Sequence, residues 1–250
     1  MNLTGNTILV TGGGSGIGRG LAEALHRAGN QVVIAGRRRD ALRVVADANP
    51  GIEYRQLDLA EPDSISRLAA ELSYSHHPGL NILVNNAGVM QTEDLLTGDA
   101  ALTEIAETTV AVNLLGPMRL TAALLPTLLG HPHAAIVNVT SALAFAPKAV
   151  APTYSATKAG MHTCTQSLRR QLQHTALQVI EIIPPRVETD MLAGQDYGPN
   201  AMSLDAFVAE TMSLLRGQPD AAEIVVDAAQ KVRFAARDGR YDDVFDAVNP

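Results

Sequence analysis

The segment PTYSATKAG (152–160) places Tyr154 and Lys158 four residues apart. Four residues is about one helical turn, so a phenol and an ammonium would share one helix face. An ordinary tyrosine, with a pKa of about 10, exchanges protons poorly near neutrality. A positive charge one turn away favours the phenolate and lowers that value, which would make Tyr154 a usable acid or base. The chain has 5 Tyr in 250 residues and three lysines, Lys148, Lys158 and Lys231. This spacing then arises by chance roughly 0.06 times. The pair stands out from chance without naming a reaction.

Other polar residues sit where such a pair could use them. Ser141 closes the apolar run AAIVNVTS (134–141), and Asn113 lies inside a long apolar stretch, 99–129. Each has an ordinary reading as well. Ser141 caps whatever follows its strand, Asn113 is a satisfied buried amide, and Lys158 runs its stem over its own helix.

A second concentration of chemistry is TGGGSGIG (11–18). Glycines there permit positive φ and close backbone approach, and the N–H groups of the following helix would face a pyrophosphate. A plain strand-to-helix turn is the competing reading. The second strand then ends in Ala35-Gly36-Arg37-Arg38, with no acid until Asp40. A ribose 2′-hydroxyl is usually held by an acid at this point, whereas arginine suits a 2′-phosphate. NADP(H) is therefore the preferred cofactor and NAD(H) remains possible. Asp58 either accepts from an adenine amino group or caps its strand. Asn85-Asn86-Ala87-Gly88 offers small residues for close approach of a nucleotide.

These segments need a scaffold that brings them together. Apolar runs at 6–10, 31–36, 52–59, 81–88, 134–141 and 177–185 alternate with helical stretches. That order predicts right-handed βαβ units, hence an α/β, doubly wound Rossmann fold: a parallel sheet of six or seven strands with helices on both faces. Ligands of such sheets lie beyond the carboxyl ends of the strands, where the glycines and polar residues gather here. Residues 99–129 read as helix with a bend at Gly116-Pro117, and no linker divides residues 1–250. A single domain is expected, with a substrate lid at about 190–217.

Composition excludes several classes. Charged residues make up 18% and the net charge is −7, which argues against nucleic acid or an anionic membrane as the main partner. The single Cys164 permits no internal disulfide, and no apolar run reads as a membrane span. The expectation is a cytoplasmic protein. His76-His77, and His131 with His133, lack a third ligand, so no metal is expected.

Assembled, Thr11-Gly12-x-x-x-Gly16-x-Gly18, Asn85-Asn86-Ala87-Gly88, Asn113, Ser141, Tyr154-x-x-x-Lys158 and Pro184-x-x-Val187-x-Thr189 resemble the short-chain dehydrogenase/reductase family. IVNVTSALAF and IEIIPPRVETDM resemble its DltE-like branch. The resemblance implies NADP(H)-dependent hydride transfer between a nicotinamide and a carbonyl or secondary alcohol. Tyr154 would be the acid/base, Lys158 would bond the nicotinamide ribose, Ser141 would hold the substrate oxygen, and Asn113 would organise a water relay. Gly12, Ser15, Gly16, Ile17, Gly18, Arg37, Arg38, Asp58, Leu59, Asn86, Ala87, Gly88, Pro184, Val187 and Thr189 would join Tyr154 and Lys158 around the cofactor. Leu143, Phe145, Met90, Pro185, Met191 and Leu192 would line an apolar substrate pocket.

Helices 99–129 and 152–174 would pair with their copies in a homodimer or homotetramer. The rival class is an NADP-binding redox sensor that keeps the fold without turnover. Two features depart from the family pattern. Pro184-Pro185 replaces the usual Pro-Gly, and the C-terminal segment lacks the β-rich run of a seventh strand, with residues 220–237 reading as helix.

Overall fold

The computed structural model describes residues 1–73, 79–189, 191 and 201–250. Seven parallel strands form one sheet in the order β3-β2-β1-β4-β5-β6-β7. They are β1 Thr7–Thr11, β2 Gln31–Gly36, β3 Ile52–Gln56, β4 Leu80–Asn85, β5 Ala134–Val139, β6 Leu177–Ile183 and β7 Glu223–Val225. The chain winds outward from β1 through β2 to β3, then returns to β4 on the other side of β1 and winds outward again. The strand order therefore reverses between β1 and β4, which opens a crevice at their carboxyl ends.

Alternation along each strand feeds two cores. Ile8, Val10, Val32, Ile34, Val137 and Ile182 face one side. There they meet α1 (Gly16–Arg27), α2 (Arg39–Ala48) and α7 (Leu204–Gly217), through residues such as Leu21, Leu42 and Phe207. Leu9, Val33, Leu83 and Ile136 face the other side. They meet α3 (Pro62–Glu71), α5 (Gly116–Leu129) and the end of α6 (Pro152–Gln171), through Ile65, Leu120, Leu124 and Leu172.

Two expectations need correction. The seventh strand exists: β7 pairs in parallel with β6, from Glu181↔Glu223 to Ile183↔Val225, and only then does α8 (Asp227–Arg233) begin. The long helix is interrupted beside Gly116-Pro117, Pro117 having no N–H to return to the Asn113 carbonyl. Between α4 (Ala101–Val110) and α5 the backbone widens into a π turn over Ala111–Leu115. Of the segment expected as a lid, about 190–217, α7 buries Phe207, Val208, Met212 and Leu215 against the sheet; residues 192–200 lie outside the described residues. Finally, Ala101–Leu129 is long and apolar enough to span a membrane by length and composition, contrary to the sequence reading. Its inner side packs on the sheet through Leu120, Leu124 and Leu128.

The C-terminal helix α9 (Tyr241–Val248) braces the loop ahead of α6. Val244 packs with Ala146 and Ala235. Asn249 accepts from Ala149 N–H at 2.6 Å and donates to Pro147 O at 2.9 Å.

Candidate active site

At the β1–β4 crevice, Thr11 is the hub. Its hydroxyl oxygen accepts from Asn86 N–H at 3.0 Å and Ala87 N–H at 3.1 Å, while Asn86 Nδ2 donates to Thr11 O at 2.9 Å. These bonds tie the turn after β4 to the glycine turn after β1. The fit is close enough to demand glycine. Gly12 has φ +69°, and a Cβ on Gly18 would meet Asn86 Nδ2 at 2.3 Å and Gly12 O at 2.4 Å. Ser15 makes no side-chain cap on α1, whose first turn carries no acid. An anion facing those N–H groups would meet both the helix dipole and free donors. Arg38 reaches back from the end of β2, its guanidinium donating to Ser15 Oγ at 2.8 Å. Arg37 is exposed beside it. A glycine cradle, an uncapped helix start and an arginine at its mouth fit a phosphorylated dinucleotide.

The remaining nucleotide candidates divide. Thr189 lies against Gly16, its Cβ 3.3 Å from where a Gly16 Cβ would stand. Val187 is buried and pairs with Met202. Pro184 O accepts from Ala142 N–H at 2.8 Å, which joins the end of β6 to the loop after β5. Asp58 Oδ1 accepts from Ala60 N–H at 3.0 Å, the turn-capping role. The Leu59 side chain is buried in the core, so any nucleotide contact there falls to its backbone. Ile17 packs partly buried on the sheet. Gly88 lies between Asn113 and Lys158.

The residues expected to handle protons converge beyond β5. Pro152 starts α6, and its buried face carries Tyr154, Lys158, Met161 and Thr165, a stripe with the helical repeat. Tyr154 and Lys158 are 6% and 4% exposed, and Ser141 is 7% exposed. Lys158 Nζ lies 5.6 Å from the Tyr154 ring centre and donates to Val139 O at 2.9 Å. Asn113 sits in the π turn, exchanging two 2.8 Å bonds with the Val89 backbone and donating to Thr157 Oγ1 at 3.3 Å. Ser141 also caps, accepting from Leu143 N–H at 3.1 Å.

The sequence reading has Lys158 and a positive nicotinamide together lowering the Tyr154 pKa; the protein groups by themselves act in the other direction. Burial pushes the phenol up to about 12, and the hydrogen bond with Ser141 only partly opposes it. Burial also brings Lys158 down to about 8, against the pull of Glu181, so the lysine is a weakened source of positive charge.

Among the pocket candidates, Leu143, Met90 and Pro185 are partly buried and Met191 is exposed, whereas Leu192 lies outside the described residues. Phe145 is partly buried. Its ring meets His162 edge-on at 4.7 Å and the Arg233 guanidinium at 4.3 Å. His76 and His77 also lie outside the described residues.

Two positioning side chains had escaped notice. The buried Glu93 accepts from Thr153 N–H at 3.1 Å and from Thr153 Oγ1 at 2.6 Å, capping α6 one residue before Tyr154. No local pattern announces a cap supplied from sixty positions away. Glu181 is fully buried in β6, and a lone acid inside LQVIEII was a readable signal.

Residues 6–198 match the model of the short chain dehydrogenase family. The chain belongs to that family. It is an oxidoreductase, and its relatives agree. A Bacillus subtilis protein named uncharacterized oxidoreductase DltE is 41% identical over 191 residues, covering 76% of this chain and 75% of that one. A Staphylococcus aureus protein, uncharacterized oxidoreductase SA2266, is 34% identical over 200 residues, 79% of this chain and 84% of that one. Among solved structures, a short-chain dehydrogenase from Sphingobium yanoikuyae in complex with NADPH superposes with TM-score 0.79 at 28% identity, covering 96% of this chain and 95% of that one. A short chain dehydrogenase from Burkholderia cenocepacia in complex with NADP gives TM-score 0.82 at 25% identity over 99% of both chains.

Proposed function

We propose that this short-chain dehydrogenase is an NADP(H)-dependent carbonyl reductase or alcohol dehydrogenase with Tyr154 as its acid/base. The observation that carries the reading is the joint burial of Tyr154, Ser141 and Lys158 beside the glycine cradle. A bound nicotinamide supplies the hydride. The cradle from Gly12 to Gly18, Asn86, Ala87, Gly88 and Thr189 would hold the dinucleotide, and Arg37 and Arg38 would meet a 2′-phosphate.

Raised to about 12, Tyr154 holds its proton at neutral pH. That is the form a carbonyl reduction consumes: the phenol gives its proton to the alkoxide oxygen as it develops. Ser141 donates to the same oxygen, which stabilises charge that exists chiefly in the transition state. Lys158 is placed to bond ribose hydroxyls, and its ammonium form stabilises the phenolate left behind. Asn113 fixes the Val89 loop and the π turn behind Lys158, where a water relay can return the proton. Leu143, Pro185 and Met191 favour an apolar ketone, aldehyde or secondary alcohol. Leu115 at the end of the π turn and Met118 and Leu129 on α5 are exposed and would seat a second copy of the chain, giving a homodimer or a tetramer built from it.

The test is a panel of carbonyls and alcohols followed by NADPH absorbance, with Tyr154→Phe beside the unaltered protein. Turnover lost in Tyr154→Phe with NADPH binding kept is the expected result. Turnover retained defeats the mechanism. Tight NADPH binding with no turnover on any substrate would favour the sensor.

A further inference from the structure

β6 carries an acid where its alternation calls for an aliphatic side chain. Glu181 lies between the apolar Ile180 and Ile182 and is fully buried. An ionised carboxylate in that position is costly unless it is bonded and charge-compensated. Its bonds are complete: Thr140 Oγ1 donates to Oε1 at 2.7 Å, and His162 Nδ1 lies 2.8 Å from Oε2.

Those partners belong to the site. Val139, Thr140 and Ser141 are consecutive. Val139 O accepts from Lys158, Thr140 is held by Glu181, and Ser141 bonds Tyr154. His162 follows Lys158 by one turn of α6, so Tyr154, Lys158 and His162 form one stripe. We propose that Glu181 is a positioning residue for this site, its buried carboxylate set behind the Lys158 end of α6 and fixing the strand end that carries Ser141 and the Lys158 acceptor Val139. The proposal rests on the hydride-transfer reading above.

The surrounding charges leave Glu181 to these two partners. From β7, Glu223 is taken by the Arg233 fork of α8 at 2.8 and 2.9 Å. Burial works against ionising Glu223, yet that fork holds it below the usual carboxylate range. From α6, Arg169 donates to Val179 O at 2.9 Å and Ala222 O at 2.8 Å. What remains against Glu181 is His162, with Lys158 one turn earlier on the same helix. Ligand atoms of His162, Glu181 and Glu223 lie within 4.8 Å of one another, but Arg233 already neutralises Glu223, so the cluster is compensated without a cation. The carboxylate opposes the burial that lowers Lys158, as its pKa of about 8 reflects.

Three lysines in the chain make the test direct. Protein labelled with ¹³C-lysine is titrated by NMR, the Lys158 resonance being assigned by its loss in Lys158→Met. In Glu181→Gln the Lys158 midpoint is expected to fall by about one pH unit or more, with Lys148 and Lys231 unmoved. An unchanged Lys158 midpoint in the folded variant overturns the proposal. Should Glu181→Gln not fold, His162→Gln/Glu181→Gln removes the same charge while pairing two amides, and the same two outcomes apply. The titration needs no turnover. Coupling found alongside an active Tyr154→Phe would sink the functional reading alone. Coupling absent alongside an inactive Tyr154→Phe would sink only the role of Glu181.

Discussion

Replacing Lys158 by methionine is expected to make the ligand-free protein more stable at neutral pH. Folding takes this ammonium from its ordinary value of 10.5 to about 8. At ~1.4 kcal/mol per pH unit, that gap costs the folded state about 3 kcal/mol. The folded protein binds fewer protons than the unfolded chain between those values, so stability rises with pH across the window, and the penalty is fully present below about 8. Tyr154 acts in the opposite sense but higher. Its folded value of about 12 exceeds the ordinary 10, so its contribution is lost only above pH 10. The interval from 8 to 10 therefore belongs to Lys158. Methionine keeps the unbranched stem and removes the charge, forfeiting one hydrogen bond to Val139 O worth about 1 kcal/mol. The net gain at pH 7 is about 2 kcal/mol, or roughly 4–8 °C in melting temperature for a chain of this size. Urea unfolding from pH 7 to 10 reads it: the wild type gains about 2 kcal/mol over the upper two units, and Lys158→Met stays level. Parallel curves for the two proteins would refute the reasoning.

Two further perturbations test the scaffold around the site. Arg38→Ala, with Arg37→Ala beside it, is expected to weaken NADPH binding roughly 10-fold or more while leaving NADH nearly unchanged, because a charge-assisted bond to a phosphate is worth about 1.5–3 kcal/mol. Equal losses for both cofactors in calorimetry would refute the 2′-phosphate assignment. Glu93→Ala removes two bonds to Thr153 and leaves a helix N-terminus uncapped, at a cost of about 2 kcal/mol. A melting temperature within a degree or so of wild type would contradict that role.

What could be read from the sequence was what short-range rules govern. Tyr154 and Lys158 share a face because α6 is a helix, and Gly12 to Gly18 form a cradle because only glycine clears Asn86 and the Gly12 carbonyl. The parallel, doubly wound sheet followed from alternation of elements, although strand ends shifted by one to three residues, as at β3, which stops at Gln56. The β7 strand escaped because three residues, Glu223–Val225, are too few to show a period, and they lie between segments that read as helix. The contacts of Phe145 were illegible for a different reason. Its partners, His162 and Arg233, come from α6 and α8, and the C-terminal brace that brings α8 there has no local signature.

The ionisation of the site was the least legible feature, and it qualifies the simple picture of a lysine lowering a tyrosine. Sequence spacing reports distance between two charges but not how dry their surroundings are. Here the dry surroundings dominate, raising Tyr154 and lowering Lys158 together, so each is biased toward its neutral form. A neutral phenol is ready to donate, which suits reduction. The reverse reaction needs the phenolate, hence a charged Lys158, and in this chain the group that favours that charge is an acid on the neighbouring strand, Glu181. On this argument, removing the Glu181 charge should move the pH profile of turnover, because the phenolate paired with a charged Lys158 becomes harder to form. A lowered rate with an unmoved pH profile would mean that Glu181 only holds the strand end in place.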